Sequence, residues 1–271
     1  MVLAMASSPG HARANEDFVG AVPSAVVLLD GAGIPGSEAL CRHGTAWYSH
    51  TLGATLLGVL SRMPEVSLVS ALADAIELVA SQHRDTCDLL HPNSPQASVA
   101  IVRAAGDRVD HLVLGDIFVV LDDASSGPQV VTDPREVDVR HECSAPLRGL
   151  AAGSPEYEQL LPDVVDAFRA RRNQPGGYWI AKDDPVVASH AVTDSVSLDD
   201  LKGVALLSNG ASRFVDPYGV GTWGDVIGVL RTRGPDEVLR QVRGVEAVSS
   251  GAGAPPHADS PDDASVAYWQ P

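Results

Sequence analysis

The sequence predicts an α+β fold built on antiparallel sheets. Three observations carry this expectation. Helical stretches stand in adjacent blocks, short segments of period two follow one another across tight turns, and no βαβ alternation is present. Taking the elements in order, residues 1–23 read as a loop-rich lead-in. Ser24 to Leu29 is an apolar, β-branched run closing on Asp30-Gly31, the pattern of a buried strand and its turn. Ser37 to Ser61 carries few breakers and predicts a helix. A second helix starts at Pro64-Glu65, because proline is tolerated in a first turn. Val69, Leu72, Ala73, Ile76, Val79 and Ala80 fall on one face of it, and His91-Pro92-Asn93-Ser94-Pro95 closes the block.

The period then drops to two. Ala97 to Arg103, Arg108 to Leu114, Ile117 to Asp122 and Gln129 to Thr132 read as strands of a meander, joined by Gly-, Asp- and Ser-rich turns. Pro155 to Arg171 predicts a helix, ended by Gly176-Gly177. A strand pair is expected at Tyr178 to Ala181 and Val186 to Val192, and a strand at Gly203 to Leu207. Helices are expected at Trp223 to Arg231 and Pro235 to Val248. Ser249 to Pro261 reads as a Gly/Ala/Pro/Ser loop, and Ala264 to Trp269 as a last strand. With no internal repeat and no linker between two cores, residues 1–271 read as a single domain.

Composition narrows the function classes. The chain has 271 residues, with 35 Asp+Glu against 19 Lys+Arg, a net charge of −16. A domain of this size buries roughly 70–75% of its unfolded surface and needs no covalent staples. The acidic balance argues against nucleic acid and against docking on an anionic membrane. No stretch approaches the ~18 apolar residues of a membrane span, and the N-terminus lacks the basic region of a signal peptide. Cys41, Cys87 and Cys143 are scattered, odd in number and without a CxxC pair. That pattern suits reduced thiols in the cytoplasm, speaks against a zinc knuckle, and leaves Cys41 as a buried, unreactive thiol.

Gly31-Ala32-Gly33-Ile34-Pro35-Gly36 matches the dinucleotide fingerprint GxGxxG after a strand. Two features oppose that reading. Asp30 precedes the first glycine, where a carboxylate repels pyrophosphate, and the region some twenty residues on, Leu56 to Pro64, is helical and not a strand ending in an acid. Asp30-Gly31 reads instead as a metal corner. Asn15-Glu16-Asp17, Gly115-Asp116 and Asp262-Asp263 also stand at strand ends, and carboxylates that converge there suit hard divalent ions.

These motifs resemble, in order and over nearly the whole chain, the PPM-type metal-dependent protein phosphatases (protein phosphatase 2C). The resemblance rests on Asn15-Glu16-Asp17-Phe18, Val26-Val27-Leu28-Leu29-Asp30-Gly31-Ala32-Gly33, Ala97-Ser98-Val99-Ala100, Leu114-Gly115-Asp116, Ala205-Leu206-Leu207-Ser208-Asn209-Gly210 and Asp262-Asp263-Ala264-Ser265-Val266. It implies an αββα sandwich of two antiparallel sheets flanked by helices, and two manganese or magnesium ions with a weaker third. It implies Asp30 as the bridging ligand, the Gly31 carbonyl on one ion, Glu16 and Asp17 on its water ligands, Asp262 on the other ion, and Asp116 at the weaker site. The implied reaction is hydrolysis of a phosphomonoester on Ser or Thr of a protein by a metal-activated water.

Three departures qualify the resemblance. The family's Ser-Asp-Gly is Ser208-Asn209-Gly210 here, so a ligand charge is lost at Asn209. The phosphate-binding arginine expected at position 12 is Ala12, with Arg13 one residue later. The histidine that some members place two residues after the bridging acid is Ala32, which leaves His43 as the candidate acid or phosphate donor. The expected partner is a phosphorylated protein substrate. The rival reading, favoured by Asn209, is a pseudophosphatase that binds a phosphoprotein or regulator with little turnover.

Overall fold

The computed structural model describes residues 2–10, 14–33, 40–249 and 261–270. In chain order the strands are β1 (Val2–Ser8), β2 (Phe18–Val22), β3 (Ala25–Ala32), β4 (Gln96–Ala105), β5 (Arg108–Leu114), β6 (Phe118–Asp123), β7 (Gly127–Val131), β8 (Val192–Ser197), β9 (Leu201–Leu207) and β10 (Ala264–Gln270). The helices are α1 (Gly44–Arg62), α2 (Leu68–His83), α3 (Arg135–Cys143), α4 (Pro155–Ala170), α5 (Asn209–Ser212), α6 (Trp223–Arg233) and α7 (Pro235–Ser249). The strands form two five-stranded sheets, ordered β1-β10-β9-β6-β7 and β2-β3-β4-β5-β8, with every pairing antiparallel. No helix among the described residues is long and apolar enough to cross a membrane.

The layers follow from alternation along the strands. In β3, Val26 and Leu28 face the second sheet, in a core shared with Val102, Val113, Val119, Val204, Leu206 and Trp269. Val27 and Leu29 point the other way, onto Leu52 and Leu56 of α1 and Leu72 and Ile76 of α2. A strand buried on both faces reads as an unbroken apolar run, which is why β3 is so plain in the sequence. On the far side, Ala205, Leu207, Val266 and Tyr268 pack against Val226, Ile227 and Leu230 of α6 and Val238 and Val242 of α7. The result is the expected αββα sandwich.

Several elements differ from expectation. The lead-in contains β1 and β2, which are rich in small residues and owe their extended form to pairing: Val2–Ser8 runs along Ala264–Gln270, and Phe18–Val22 along Ala25–Leu29. Helix α1 begins at Gly44, not Ser37; residues 34–39 lie outside the described residues. Helix α2 begins at Leu68 because Ser67, and not Pro64, caps it, its hydroxyl accepting the Ser70 N–H at 3.0 Å. Pro64 to Ser67 forms a turn, with Val66 N–H donating to the Met63 carbonyl. Helix α3 was unexpected, since Glu136 and Val139 are its only buried residues and it has no apolar stripe. The strand pair expected around Tyr178 and Val186 reduces to the isolated bridges Ala97–Ala181 and Arg172–Tyr178. Asp184 instead caps a 3₁₀ turn over Pro185–His190, and the strand begins at Val192. The expected C-terminal loop falls mostly at 250–260, outside the described residues.

Candidate functional site

The site is assembled from strand ends at one end of the sandwich. Asp30 stands near the end of β3, in register with Ser98 on β4. The β5–β6 turn holds Gly115 at φ +86°, a conformation that favours glycine, and so presents Asp116. Ser98 Oγ donates to Asp116 Oδ1 at 3.0 Å. Where β9 gives way to α5, the Asn209 backbone N–H donates to Asp30 Oδ2 at 2.7 Å, and its side-chain amide donates to Asp116 Oδ2 at 3.0 Å. Asp262, just before β10, is paired with Arg213 at 2.9 Å. Asp263 also lines the site, its carboxylate accepting from the backbone N–H of Gly10 at 2.8 Å and of Glu16 at 2.6 Å. Glu16 in turn accepts the Gly33 N–H at 3.1 Å. A Cβ at Gly31 or Gly33 would overlap Glu16, so both glycines serve this close approach.

Like charges crowd this end. Burial, with Asp17, Asp262 and Asp116 adding to it, raises the Asp30 carboxyl well above the usual carboxylate range, against the Asn209 N–H that lowers it. Burial pushes Asp17 up to about 7, assisted by Asp263 and Asp262 and opposed by the hydroxyls of Ser265 and Ser208. Both Asp17 carboxylate oxygens are buried without a hydrogen-bond partner of good geometry. Asp262 is raised by burial, with Arg213 opposing. Glu136 is pushed up to about 8 by burial and by Asp116, with Arg140 opposing at 2.6 Å. Converging, under-partnered carboxylate oxygens of this kind fit hard divalent cations, whose charge relieves the repulsion.

The cluster lines a cleft of about 1040 Å³. Glu16, Asp30, Gly31, Asp116, Asn209 and Asp262 line it together with Arg140, Arg169, Arg172 and Arg213. Asp17 sits behind this lining, 3% exposed. The structure thus gathers the metal candidates named from the sequence. Arg13 lies outside the described residues. His43 is the exception: it does not line the cleft but sits just before α1, beside Cys41, Cys87 and His83. His43 stands at the N-terminus of α1 with its ring against Trp47 and His83, which places it among these residues and not among the acids. Two of the three cysteines, Cys41 and Cys87, also meet there, while Cys143 stands apart at the end of α3.

Sequence reasoning missed Glu136 and Arg140, which share one face of α3 at i,i+4 spacing in a stretch too polar to signal a packed helix. It also missed Arg213, which joins Asp262 to the buried Glu246 at 3.3 Å. Nothing periodic marks that residue.

The fold is that of the PPM-type serine/threonine phosphatases. No family model matches the chain, and no curated protein matches it by sequence. Among solved structures it resembles the catalytic domain of the serine/threonine phosphatase PstP in complex with two manganese ions. The two share 16% identity at a TM-score of 0.57, over 98% of this chain and 96% of that one. Stp1, a serine/threonine phosphatase from Staphylococcus aureus, is similar at 14% identity and TM-score 0.57, over 99% and 94% of the two chains. PppA of Pseudomonas aeruginosa is similar at 16% identity and TM-score 0.54, over 98% and 96%.

Proposed function

We propose that the chain is a manganese- or magnesium-dependent phosphatase of phosphoserine and phosphothreonine in proteins, acting in the cytoplasm. The observation that carries this reading is the convergence of Asp30, Asp116 and Asp262 in a cleft that four arginines also line, beside the buried Asp17 carboxylate. Asp30, the Gly31 carbonyl, Glu16 and Asp17 would hold a divalent ion and its water ligands at this end of the sandwich. Asp262 would hold a second ion, and Asp116 with Asn209 would hold a weaker third. When bound, these ions supply acidified water and neutralise charge on the phosphoryl oxygens.

The remaining roles belong to the chain itself. Arg140, held by Glu136 and lying 5.2 Å from the centre of the Phe168 ring, offers a fixed guanidinium for a phosphate dianion. Arg213 holds Asp262 in place from a buried position beside Glu246. PstP and Stp1, which share this fold, are serine/threonine phosphatases, which supports a phosphoprotein as substrate.

A second reading, a pseudophosphatase that binds a phosphoprotein or regulator, is favoured by one observation. The Asn209 amide turns its donor toward Asp116, so a neutral group satisfies the carboxylate that a cation otherwise takes. Hydrolysis of a phosphothreonine peptide in manganese, with and without chelator, separates the two. Chelator-sensitive turnover that is lost in Asp30→Ala supports the phosphatase. Peptide binding without turnover in either protein supports the binding module and overturns the first reading.

A further inference from the structure

The start of α1 and the end of α2 bring together two cysteines and two histidines, which the acid cluster does not use. Cys41 and His43 precede α1; His83 is the last residue of α2, and Cys87 lies four residues on. One ligand atom from each lies within 4.8 Å of all the others. Cys41 Sγ stands 3.7 Å from His43 Nδ1 and 3.6 Å from His83 Nδ1, and Cys87 Sγ stands 3.5 Å from His43 Nδ1. Tetrahedral zinc, with Zn–S near 2.3 Å and Zn–N near 2.0–2.1 Å, sets its sulfur–nitrogen edges at about 3.5–3.6 Å. We propose that Cys41, His43, His83 and Cys87 form a structural zinc site that fastens the start of α1 to the end of α2.

Three further observations bear on it. The ligand pairs sit on hydrogen-bonded turns: the Cys41 carbonyl accepts the Gly44 N–H at 3.1 Å, and the His83 carbonyl accepts the N–H groups of Thr86 and Cys87 at 3.1 and 3.0 Å. The Asp88 N–H, donating to the Leu40 carbonyl at 2.9 Å, ties the two segments together. The backbone therefore fixes the four positions before any ion arrives. The site is also closed. Cys41 and His83 are 0% and 2% exposed, and Trp47 stacks on His43 with centroids 4.3 Å apart while meeting His83 edge-on at 4.9 Å. Four protein ligands and no open position describe a structural ion and not a catalytic one. Finally, the ligands are soft. Thiolates with imidazoles select zinc over magnesium and manganese, so this site and the acid cluster take different ions. The sequence hides it, because the ligands are two short halves, Cys-x-His and His-x₃-Cys, with 39 residues between His43 and His83.

The test is the metal content and cobalt spectrum of the full chain, read independently of phosphatase activity. Purified in zinc-containing medium, the protein should carry one zinc per chain. Cobalt exchange should give the visible bands of tetrahedral cobalt with thiolate-to-cobalt charge transfer. Asp30→Ala should keep both, whereas Cys87→Ser, at the less buried cysteine, should weaken zinc binding by roughly a hundredfold or more. X-ray absorption of the zinc-loaded parent should show two sulfur and two nitrogen ligands, and this holds whether or not the cysteine variant folds. A zinc shell of oxygen and nitrogen alone, cobalt bands lacking thiolate character, or a Cys41–Cys87 disulfide in protein purified under reducing conditions would each overturn the proposal.

Discussion

Asn209 is the residue on which the chemistry turns. Its backbone N–H holds Asp30 and its side-chain amide holds Asp116, so one residue braces both carboxylates. Asn209→Asp is nearly isosteric, yet it sets a second carboxylate beside Asp116 at the 3.0 Å now spanned by a hydrogen bond. At an effective dielectric of ~20 such a like-charge contact costs several kcal/mol in the metal-free protein, and a dication placed between the groups reverses the sign. Desolvation removes much of the gain. The expected outcome is a manganese requirement lower by roughly tenfold to a hundredfold, together with a lower melting temperature in chelator. An unchanged manganese requirement would place Asn209 outside the ion's reach. Asp30, Asp116 and Asp262 were legible because each stands at or beside the end of an apolar strand run, Asp262 just before one starts. Arg140 and Arg213 were not, because a lone arginine in a polar stretch carries no positional signal.

Among the elements, helix α6 offers a clean control. Thr222 and Asp225 close a reciprocal capping box, with the Thr222 hydroxyl accepting the Asp225 N–H at 3.3 Å and the Asp225 carboxylate accepting the Thr222 N–H at 2.8 Å. Thr222→Ala removes one partner and should cost about 0.5–2 kcal/mol of stability while leaving manganese affinity unchanged. Chemical denaturation beside a metal titration reads both effects. A change in metal affinity would show that α6 positions the site through Phe118 and Trp223, whose rings lie 5.3 Å apart. Element by element, the sequence revealed what packing demands. Strand β3 and helix α2 bury long apolar sets and were plain. Strands β1 and β2 depend on partners hundreds of residues or a single turn away, and α3 buries almost nothing, so local pattern could not announce them.

Over the whole molecule, the carboxylates at the open end of the sandwich make stability depend on pH and on metal. Asp17 has its folded value raised from 3.8 to about 7 by burial. The folded state therefore binds more protons than the unfolded state across that window, and stability of the metal-free protein falls as pH rises from about 4 to 7. Glu136, raised to about 8, extends the trend upward. Melting temperatures in chelator should thus decline over this range, and the stabilisation by manganese should grow with pH over the same range. A chelator-treated protein that becomes more stable toward neutral pH would contradict the electrostatic account. The architecture was largely legible, since its cores follow alternation and helical period; the meeting of Cys41, His43, His83 and Cys87 was not, because no short spacing joins its halves. The most direct test of the central claim, a divalent site centred on Asp30, is calorimetric titration of manganese into the apoprotein and into Asp30→Ala. The account predicts saturable binding of at least two ions to the parent and its loss in the variant, with the circular dichroism of the two proteins unchanged. Equal manganese binding by both would contradict it.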